Sequence, residues 1–307
     1  MRIIGKDGRY TSAPPRSVTA LGFFDGMHRG HIALFAEARR LADEAGLPFF
    51  VFSFSGEGGP KNACLLQSDR ERRAAFFAAG ADFCTLVPFP GYAGMSPREF
   101  TAQVLCGRLG TVLAVAGEDF RFGAGASGDM PLLTSLMAEH GGRTRAVPPV
   151  CLDGVPISSR LIRQALADGD CARAEKMLGR PYSLCLPVLH GQARGILLGF
   201  PTANQLPEPW RALPGDGVYR TVCRTPDGRA YDAVTDIGLR PTFGGRERRI
   251  ESHLLGFSGD LYGRPMTVSF CEKLREEEKF SDAAELAARV RKDKERVLAW
   301  KRENGTN

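Results

Sequence analysis

The sequence lacks the features that would place the chain in a membrane or send it out of the cell. None of its apolar runs approaches the roughly 18 to 20 residues that a membrane-spanning helix requires. The start of the chain also lacks the apolar stretch of a secretory signal. We therefore expect a cytoplasmic protein that is not attached to a membrane.

Paired cysteine motifs are missing as well. The eight cysteines are scattered, without a Cys-x-x-Cys pair and without neighbouring histidines at metal-ligand spacing. We interpret them as reduced residues that fill the core. The chain also has no internal repeat and no low-complexity segment, so its division into domains has to be inferred from changes of periodicity alone.

The charge balance does not indicate a nucleic-acid-binding protein. The formal net charge is +6, and much of the excess lies in one terminal stretch, residues 289–302. Such a stretch is more often the solvated face of a helix, and it lacks the interleaved aromatic residues of a nucleic-acid site. The positive balance remains compatible with small anionic ligands.

What the sequence does contain is a large apolar fraction, 43% of 307 residues, and the apolar residues follow two different patterns along the chain. Up to about residue 170, short apolar runs alternate with helical patterns, which predicts βαβ units and a parallel sheet covered on both faces. The predicted strands are Ser17 to Phe23, Phe49 to Phe54, Phe83 to Val87 and Thr111 to Ala116, and the first helix follows His31.

After residue 181 the pattern changes to strand-like runs separated by turn residues, which predicts a small antiparallel β-barrel. One helix follows, with Ser281 as its expected N-cap and an apolar stripe that would dock on the barrel. We therefore expect an α/β domain over residues 1–180 and a β domain with a terminal helix over residues 181–307.

Residues 22–31 read Gly-Phe-Phe-Asp-Gly-Met-His-Arg-Gly-His and join the first strand to the first helix. In such a glycine-rich turn, backbone N–H groups and the positive end of the helix favour phosphate. His28 and His31 would lie on one face of the first helical turn and could donate hydrogen bonds to a triphosphate. They could also ligate a metal, although the sequence positions no third ligand to complete such a site.

This segment resembles the signature of the nucleotidyltransferase superfamily, in the variant found in bacterial bifunctional riboflavin kinase/FAD synthetases. Residues 117–123, 157–163 and 169–182 resemble further segments of that family. The resemblance implies a Rossmann-like domain that transfers AMP from ATP to FMN, giving FAD and pyrophosphate. It assigns catalytic roles to His28 and His31, and ligand-binding roles to Gly22, Phe24, Asp25, Gly26, Asp119, Phe120, Ser158, Ser159 and Arg163.

Residues 195–204, Gly-Ile-Leu-Leu-Gly-Phe-Pro-Thr-Ala-Asn, resemble the riboflavin kinase motif of the same family. The Pro-Thr-Ala-Asn part alone would indicate only a turn, but further family segments follow in order at residues 217–219, 238–243, 251–255 and 260–263. The resemblance implies that ATP phosphorylates riboflavin to FMN. It makes Glu251 the base, Thr202 and Asn204 ligands of Mg²⁺, and Gly199, Pro201 and Arg275 contacts of the nucleotide or the flavin.

The sequence departs from the family pattern at several positions. The family's Pro-His-Pro histidine is missing after the second strand, where Lys61 could replace it, and Arg160 stands in place of a threonine. In the second domain, Asp236 replaces an asparagine and Leu186 a glycine.

Two alternatives remain open, the first because of these departures and the second because of the positive terminal stretch and the pI of about 9.0. In one, the protein is a riboflavin kinase with a degenerate or regulatory first domain. In the other, it is a basic nucleic-acid-binding or flavin-responsive regulator. On the leading hypothesis the partners are ATP, riboflavin, FMN and FAD, with Mg²⁺ and without nucleic acid or membrane, and the oligomeric state is unknown.

Overall fold

The computed structural model describes residues 2–11, 16–56, 64–191, 199–242 and 245–304. Lys61 and the first four residues of the kinase motif, 195–198, lie outside these ranges. The chain divides into two compact units, Met1–Ser159 and Arg160–Asn307, each of which is described by itself.

A seven-stranded sheet forms the centre of the first unit, in the order β2-β1-β5-β4-β3-β6-β7. Strands β3 to β7 run parallel, and the chain winds outward from β3 in both directions. The order therefore reverses beside β3, where open α/β sheets bind ligands. The strands are β1 (Ile3–Gly5), β2 (Tyr10–Thr11), β3 (Ser17–Leu21), β4 (Phe49–Phe54), β5 (Phe83–Val87), β6 (Thr111–Gly117) and β7 (Arg143–Val147).

Helices cover both faces of this sheet, and a separate apolar cluster fills the space on each face. Capping boxes at Ser68 and Ser96 start two of the helices. The helices are α1 (Arg29–Ala45), α2 (Asp69–Ala78), α3 (Pro97–Glu99), which continues as a π-helix over Phe100–Arg108, and α4 (Met130–Glu139). Short 3₁₀ turns occur at Phe89–Gly91 and Ala124–Ala126, and a two-stranded ribbon joins β8 (Cys151–Leu152) to β9 (Val155–Pro156).

The second unit contains a six-stranded antiparallel sheet in the order β10-β15-β12-β13-β14-β11. Past the end of β10, the Leu189 amide donates to the Asn204 carbonyl at 2.7 Å, which joins the two outer strands and closes the barrel. The elements are α5 (Ser159–Ala167), α6 (Cys171–Leu178), β10 (Tyr182–Pro187), β11 (Ala203–Gln205), β12 (Gly217–Arg224), β13 (Ala230–Thr242), β14 (Gly245–Leu254), β15 (Pro265–Arg275) and α7 (Ala283–Asn304).

Helix α7 docks on the outside of the barrel, where Val297 packs against Val218 and Val234. The Glu285 amide donates to Asp282 Oδ1 at 2.8 Å, so the capping position predicted for Ser281 belongs to Asp282. Ser281 instead donates through its hydroxyl to the Glu285 carboxylate. The predicted fold class, a parallel α/β unit followed by an antiparallel barrel with a terminal helix, is confirmed.

Candidate active sites

The glycine-rich turn follows β3 at the carboxyl edge of the parallel sheet and is tightly constrained. A Cβ on Gly22 would lie 2.6 Å from the Phe24 ring, and Gly26 has φ +86°. Phe24 and Met27 also adopt positive φ, at 52° and 41°, although neither is a glycine. Non-glycine residues hold such conformations only when the surroundings impose them, and they concentrate at functional sites.

Asp25 fixes this turn to the segment that precedes α2. Its carboxylate is buried and accepts hydrogen bonds from the Leu66 amide at 3.0 Å and the Gln67 amide at 3.1 Å. The Asp25 carbonyl accepts a third hydrogen bond, from the Ser159 hydroxyl at 2.8 Å. The structure thus brings Ser159, with Ser158 before it, to the turn, and it shows Asp25 holding the backbone in place.

The two histidines stack at the N-terminus of α1, with their ring centroids 3.6 Å apart. His28 caps the helix by accepting the His31 amide through Nδ1 at 3.4 Å. A Cβ on Gly30 would lie 3.2 Å from the His28 ring, so the glycine between the histidines leaves room for the ring to fold back. The pair therefore presents imidazole groups at a helix end that favours anions.

His31 is half-buried, and its buried Nδ1 atom has no hydrogen-bond partner within the described residues. Burial, followed by the charges of His28 and Arg72, lowers the pKa of His31 well below its usual value of 6.5. Its imidazole is therefore neutral near pH 7 and can donate one hydrogen bond while accepting another. Across the described ranges, no group of three His, Cys, Asp or Glu side chains could hold a metal, so the metal alternative gains no support.

The second predicted segment follows β6, the neighbour of β3, and so reaches the same edge of the sheet. Asp119 is exposed, and its Oδ1 would be 2.8 Å from a Cβ on Gly117. The Phe120 ring stacks on Phe122 at 5.8 Å. Arg163 is half-buried on α5 in the second unit.

Sequence reasoning missed Arg72, which is 0% exposed beneath the turn. It belongs to the charged run Asp-Arg-Glu-Arg-Arg at the start of α2, which looks like a solvated helix face. The available signal was its spacing, because Arg72 lies four residues before the buried Phe76 and therefore on the inner side of the helix.

In the second unit, the Gly-Phe-Pro-Thr-Ala-Asn loop is tied to β14. Gly199 has φ +78°, which suits glycine. His253 Nδ1 lies 2.9 Å from the Pro201 carbonyl, which can only accept, so the hydrogen-bonded tautomer carries its proton on Nδ1. The Phe200 ring meets His253 edge-on at 5.6 Å. His253 therefore holds the loop beside the strand that carries Glu251.

Three polar side chains form a row across neighbouring strands. Asn204 on β11 is directly opposite Glu251 on β14, which in turn is directly opposite Asp236 on β13. Residues paired in this way project their side chains from the same face, about 5 Å apart. Glu251 and Asp236 are half-buried and Asn204 is 9% exposed. The register thus brings together the predicted base, a predicted metal ligand and the aspartate that replaces the family's asparagine.

The Asn204 amide is held in one orientation. Its Nδ2 lies 3.3 Å from the Thr202 carbonyl and 3.4 Å from the Thr202 hydroxyl. A Cβ on Gly191 would lie 2.5 Å from the same Nδ2, so a larger residue there would displace the amide. Since Nδ2 turns toward Thr202, Oδ1 is the atom that a cation would meet. The hard oxygens of Thr202 and Asn204 beside a carboxylate fit a divalent metal such as Mg²⁺.

The other two predicted positions have clear structural roles. Arg275 donates through Nε and Nη2 to Asp293 of α7, at 2.9 and 2.8 Å, and both side chains are nearly buried. Arg275 on β15 pairs with Val218 on β12, and β15 is three strands away from β14, which carries Glu251. Sheet spacing therefore separates Arg275 from Glu251 by about 14 Å. Leu186 is a buried residue of β10, and its carbonyl accepts Gln205 Nε2 at 2.6 Å.

Comparison with known families matches both halves of the chain. A family model described as riboflavin kinase matches residues 178–301, and one described as FAD synthetase matches residues 11–161. These matches confirm the resemblance that the motifs carried. They do not favour a degenerate first domain or a nucleic-acid-binding regulator.

Individual relatives cover almost the whole chain. A bifunctional riboflavin kinase/FMN adenylyltransferase of Escherichia coli (strain K12) is 34% identical over 95% of this chain and 96% of its own length. One from Pseudomonas fluorescens is 38% identical over 90% of each chain. The names of both relatives combine the two activities that the motifs predicted.

A solved structure described as a macrolide-efflux protein from Streptococcus pneumoniae also matches. It has a TM-score of 0.85 and 31% identity, over 96% of this chain and 97% of that one.

In the described part of the present chain, no helix is long and apolar enough to cross a membrane. From the family models and the extent of these matches, the chain belongs to the family of bifunctional riboflavin kinase/FMN adenylyltransferases.

Proposed function

We propose that this chain converts riboflavin to FAD in two ATP-dependent steps, one in each unit. The barrel unit phosphorylates riboflavin to FMN, and the α/β unit transfers AMP from ATP to FMN with release of pyrophosphate. The observation that carries the kinase assignment is the direct pairing of Asn204 with Glu251, beside a loop that His253 holds in place.

In the kinase step, Glu251 accepts the proton of the ribityl 5′-hydroxyl as that oxygen attacks the γ-phosphorus of ATP and ADP leaves. An alcohol attacks poorly until its proton has an acceptor, and a carboxylate on the same face as the phosphate ligands provides one. Thr202 and Asn204 orient the triphosphate end of the nucleotide, while Gly199 and Pro201 shape the loop around it. Arg275 is assigned to the flavin or phosphate by resemblance, and its ion pair with Asp293 supports a structural role as well.

The metal would be Mg²⁺, held by Thr202 Oγ1 and Asn204 Oδ1 together with phosphate oxygens and water. When bound, it would neutralise charge on the phosphate groups. Asp236 lies next to Glu251 in the same row and adds a second carboxylate to this end of the site.

In the adenylyl step, a phosphate oxygen of FMN attacks the α-phosphorus of ATP and pyrophosphate leaves. The turn from Gly22 to Gly26 offers backbone N–H groups, and His28 and His31 donate hydrogen bonds to the phosphates from the start of α1. The neutral state of His31 makes it a hydrogen-bond donor and not a fixed cation. Ser158, Ser159 and Arg163 would bind the phosphates from the start of α5, and Asp119 and Phe120 would contact the nucleotide from β6.

Purified protein incubated with riboflavin, ATP and Mg²⁺ tests both assignments when the flavins are separated chromatographically. FMN should appear first and FAD should follow. Riboflavin that remains unchanged contradicts the kinase assignment, while FMN that accumulates without FAD contradicts the adenylyltransferase assignment. Direct addition of FMN and measurement of pyrophosphate isolates the second step.

We also propose residue 180 as the boundary between the domains, cytoplasmic localisation, and ATP, riboflavin, FMN and FAD as the small-molecule partners, without nucleic acid or membrane. Helices α5 and α6 precede this boundary, although they lie in the second compact unit, where the Gly215 amide donates to the Leu166 carbonyl at 2.8 Å. Comparing fragments that begin at residues 160 and 181 for riboflavin kinase activity tests whether the barrel requires these helices.

A further inference from the structure

Arg72 gathers four groups from three parts of the first unit. Its Nη1 donates to the Phe54 carbonyl and to Asp69 Oδ1, both at 2.9 Å. Its Nη2 donates to the Phe23 carbonyl and to Ser53 Oγ. The guanidinium thus links the end of β4, the start of α2 and the glycine-rich turn.

The bond to the Phe23 carbonyl matters because the next residue is strained. Phe24 has φ 52°, a left-handed conformation that a phenylalanine holds only when its surroundings impose it. The peptide group between the two residues is held by two donors, since Ser53 Oγ also donates to the Phe23 carbonyl, at 3.0 Å. The Arg72 guanidinium further lies 4.6 Å from the centre of the Phe23 ring.

The guanidinium group of Arg72 suits this position better than the ammonium group of a lysine would. A guanidinium carries donors in a fixed planar arrangement and can serve several acceptors at once, whereas an ammonium acts as a compact point charge. Burying the charge is unfavourable, and burial lowers the pKa of Arg72 while Asp69 and Asp25 oppose that change. A buried cation on these acceptors therefore gives the turn a defined shape.

We propose that Arg72 is a positioning residue of the adenylyltransferase site, which holds the Phe23 carbonyl and thereby keeps the phosphate-binding turn in its strained form. This inference rests on the proposed function of the first unit. It adds a residue from α2 to a site assembled from β3, α1 and β6.

The position of Arg72 has a second consequence, for the charge state of His31. Burial is the largest cause of the lowered pKa of His31, and the charges of His28 and then of Arg72 lower that pKa further. Removing the Arg72 charge should therefore raise the pKa of His31, whereas a lysine should keep it low. A residue that served stability alone would leave the kcat of a folded variant unchanged.

The test compares Arg72→Lys, Arg72→Met and the control Arg70→Lys, which changes an exposed arginine of the same helix. FMN, ATP and Mg²⁺ are supplied, and kcat and KM for FAD formation are measured. The pKa of His31 is measured separately by NMR. We expect kcat to fall roughly tenfold in Arg72→Lys and about a hundredfold in Arg72→Met. The pKa of His31 should rise only in Arg72→Met, and Arg70→Lys should match wild type.

Hydrogen exchange of β3 and α1 shows whether each variant is folded. A folded Arg72→Lys with wild-type FAD formation would overturn the inference, and so would failure of both Arg72 variants to fold, since Arg72 would then serve stability alone. Wild-type protein that makes no FAD would contradict the proposed function itself. Conversion of riboflavin to FMN should stay within about twofold in every variant, because the barrel carries that reaction.

Discussion

Asn204 and Glu251 are directly opposite each other on β11 and β14, although 47 positions separate them in the sequence. The pairing places an amide oxygen and a carboxylate side by side on one face of the barrel. Two motifs that are separate in the sequence therefore form one candidate site. The role of each side chain can be tested with its own substitution.

Glu251→Gln should lower riboflavin kinase turnover by about 10² to 10⁴ while leaving ATP binding intact, because the amide keeps the shape but cannot accept the proton. Steady-state FMN formation and ATP titration measure the two effects. Glu247→Gln, at an exposed position on the same strand, is the matched control and should match wild type. Near-native turnover in Glu251→Gln would mean that another group is the base.

Thr202→Val should raise the Mg²⁺ concentration needed for half-maximal FMN formation by on the order of tenfold, because it replaces a hard oxygen ligand with a methyl group. Saturating Mg²⁺ should restore much of the rate. Thr267→Val, at a half-buried position on β15, controls for the loss of a hydroxyl elsewhere in the barrel. An unchanged Mg²⁺ requirement would remove Thr202 from the metal site.

The depressed pKa of His31 predicts how the stability of the first unit depends on pH. Above pH 6.5 the ring is neutral in both folded and unfolded chains, so it contributes no pH dependence. As the pH falls below 6.5, the unfolded chain takes up a proton that the folded site resists. The free energy of unfolding should therefore fall by up to about 1.4 kcal/mol per pH unit, until the folded pKa is reached.

His31→Asn should remove this contribution. Hydrogen exchange of α1 and β3 at pH 7.5 and 5.5 reports the opening free energy of the first unit in the wild type and the variant. The difference between the two proteins isolates His31, since the other titrating groups are common to both. An identical pH dependence would show that His31 is protonated as readily in the folded unit as in the unfolded chain.

Asp293→Asn should destabilise the barrel unit by about 3 kcal/mol, because it leaves the nearly buried Arg275 guanidinium with only the half-exposed Glu278 carboxylate, 3.9 Å away, as a charged partner. Both tryptophans, Trp210 and Trp300, belong to the second unit, so their fluorescence reports its unfolding selectively. Glu295→Gln on the exposed side of α7 is the control. Unchanged stability with a raised KM for riboflavin would instead place Arg275 at the substrate.

The two-part fold could be predicted because strands, turns and helix ends each require a local sequence pattern. The strands from Phe49 to Phe54 and from Phe83 to Val87 appear at the predicted residues. The cap of α7 was placed one residue early, since Ser281 and Asp282 are both good caps and only the Glu285 amide distinguishes them.

What the sequence could not provide was pairing across long separations. Nothing local indicates that Glu251 faces both Asn204 and Asp236, because register depends on how the whole barrel closes. Arg72 was missed for a related reason. Its partners Phe23 and Ser53 come from distant segments, and only tertiary structure turns an apparent surface arginine into a buried one.

The closure of the barrel also bears on how the chain is made. All strands of the large first sheet precede residue 148, so that sheet can form while later residues are still being synthesised. Strand β10 has to wait, because its partner β15 follows about 80 residues later and is also the neighbour of β12. During translation β10 and β12 therefore present unpaired edges, which are sites for chaperone capture or aggregation until β15 emerges from the ribosome.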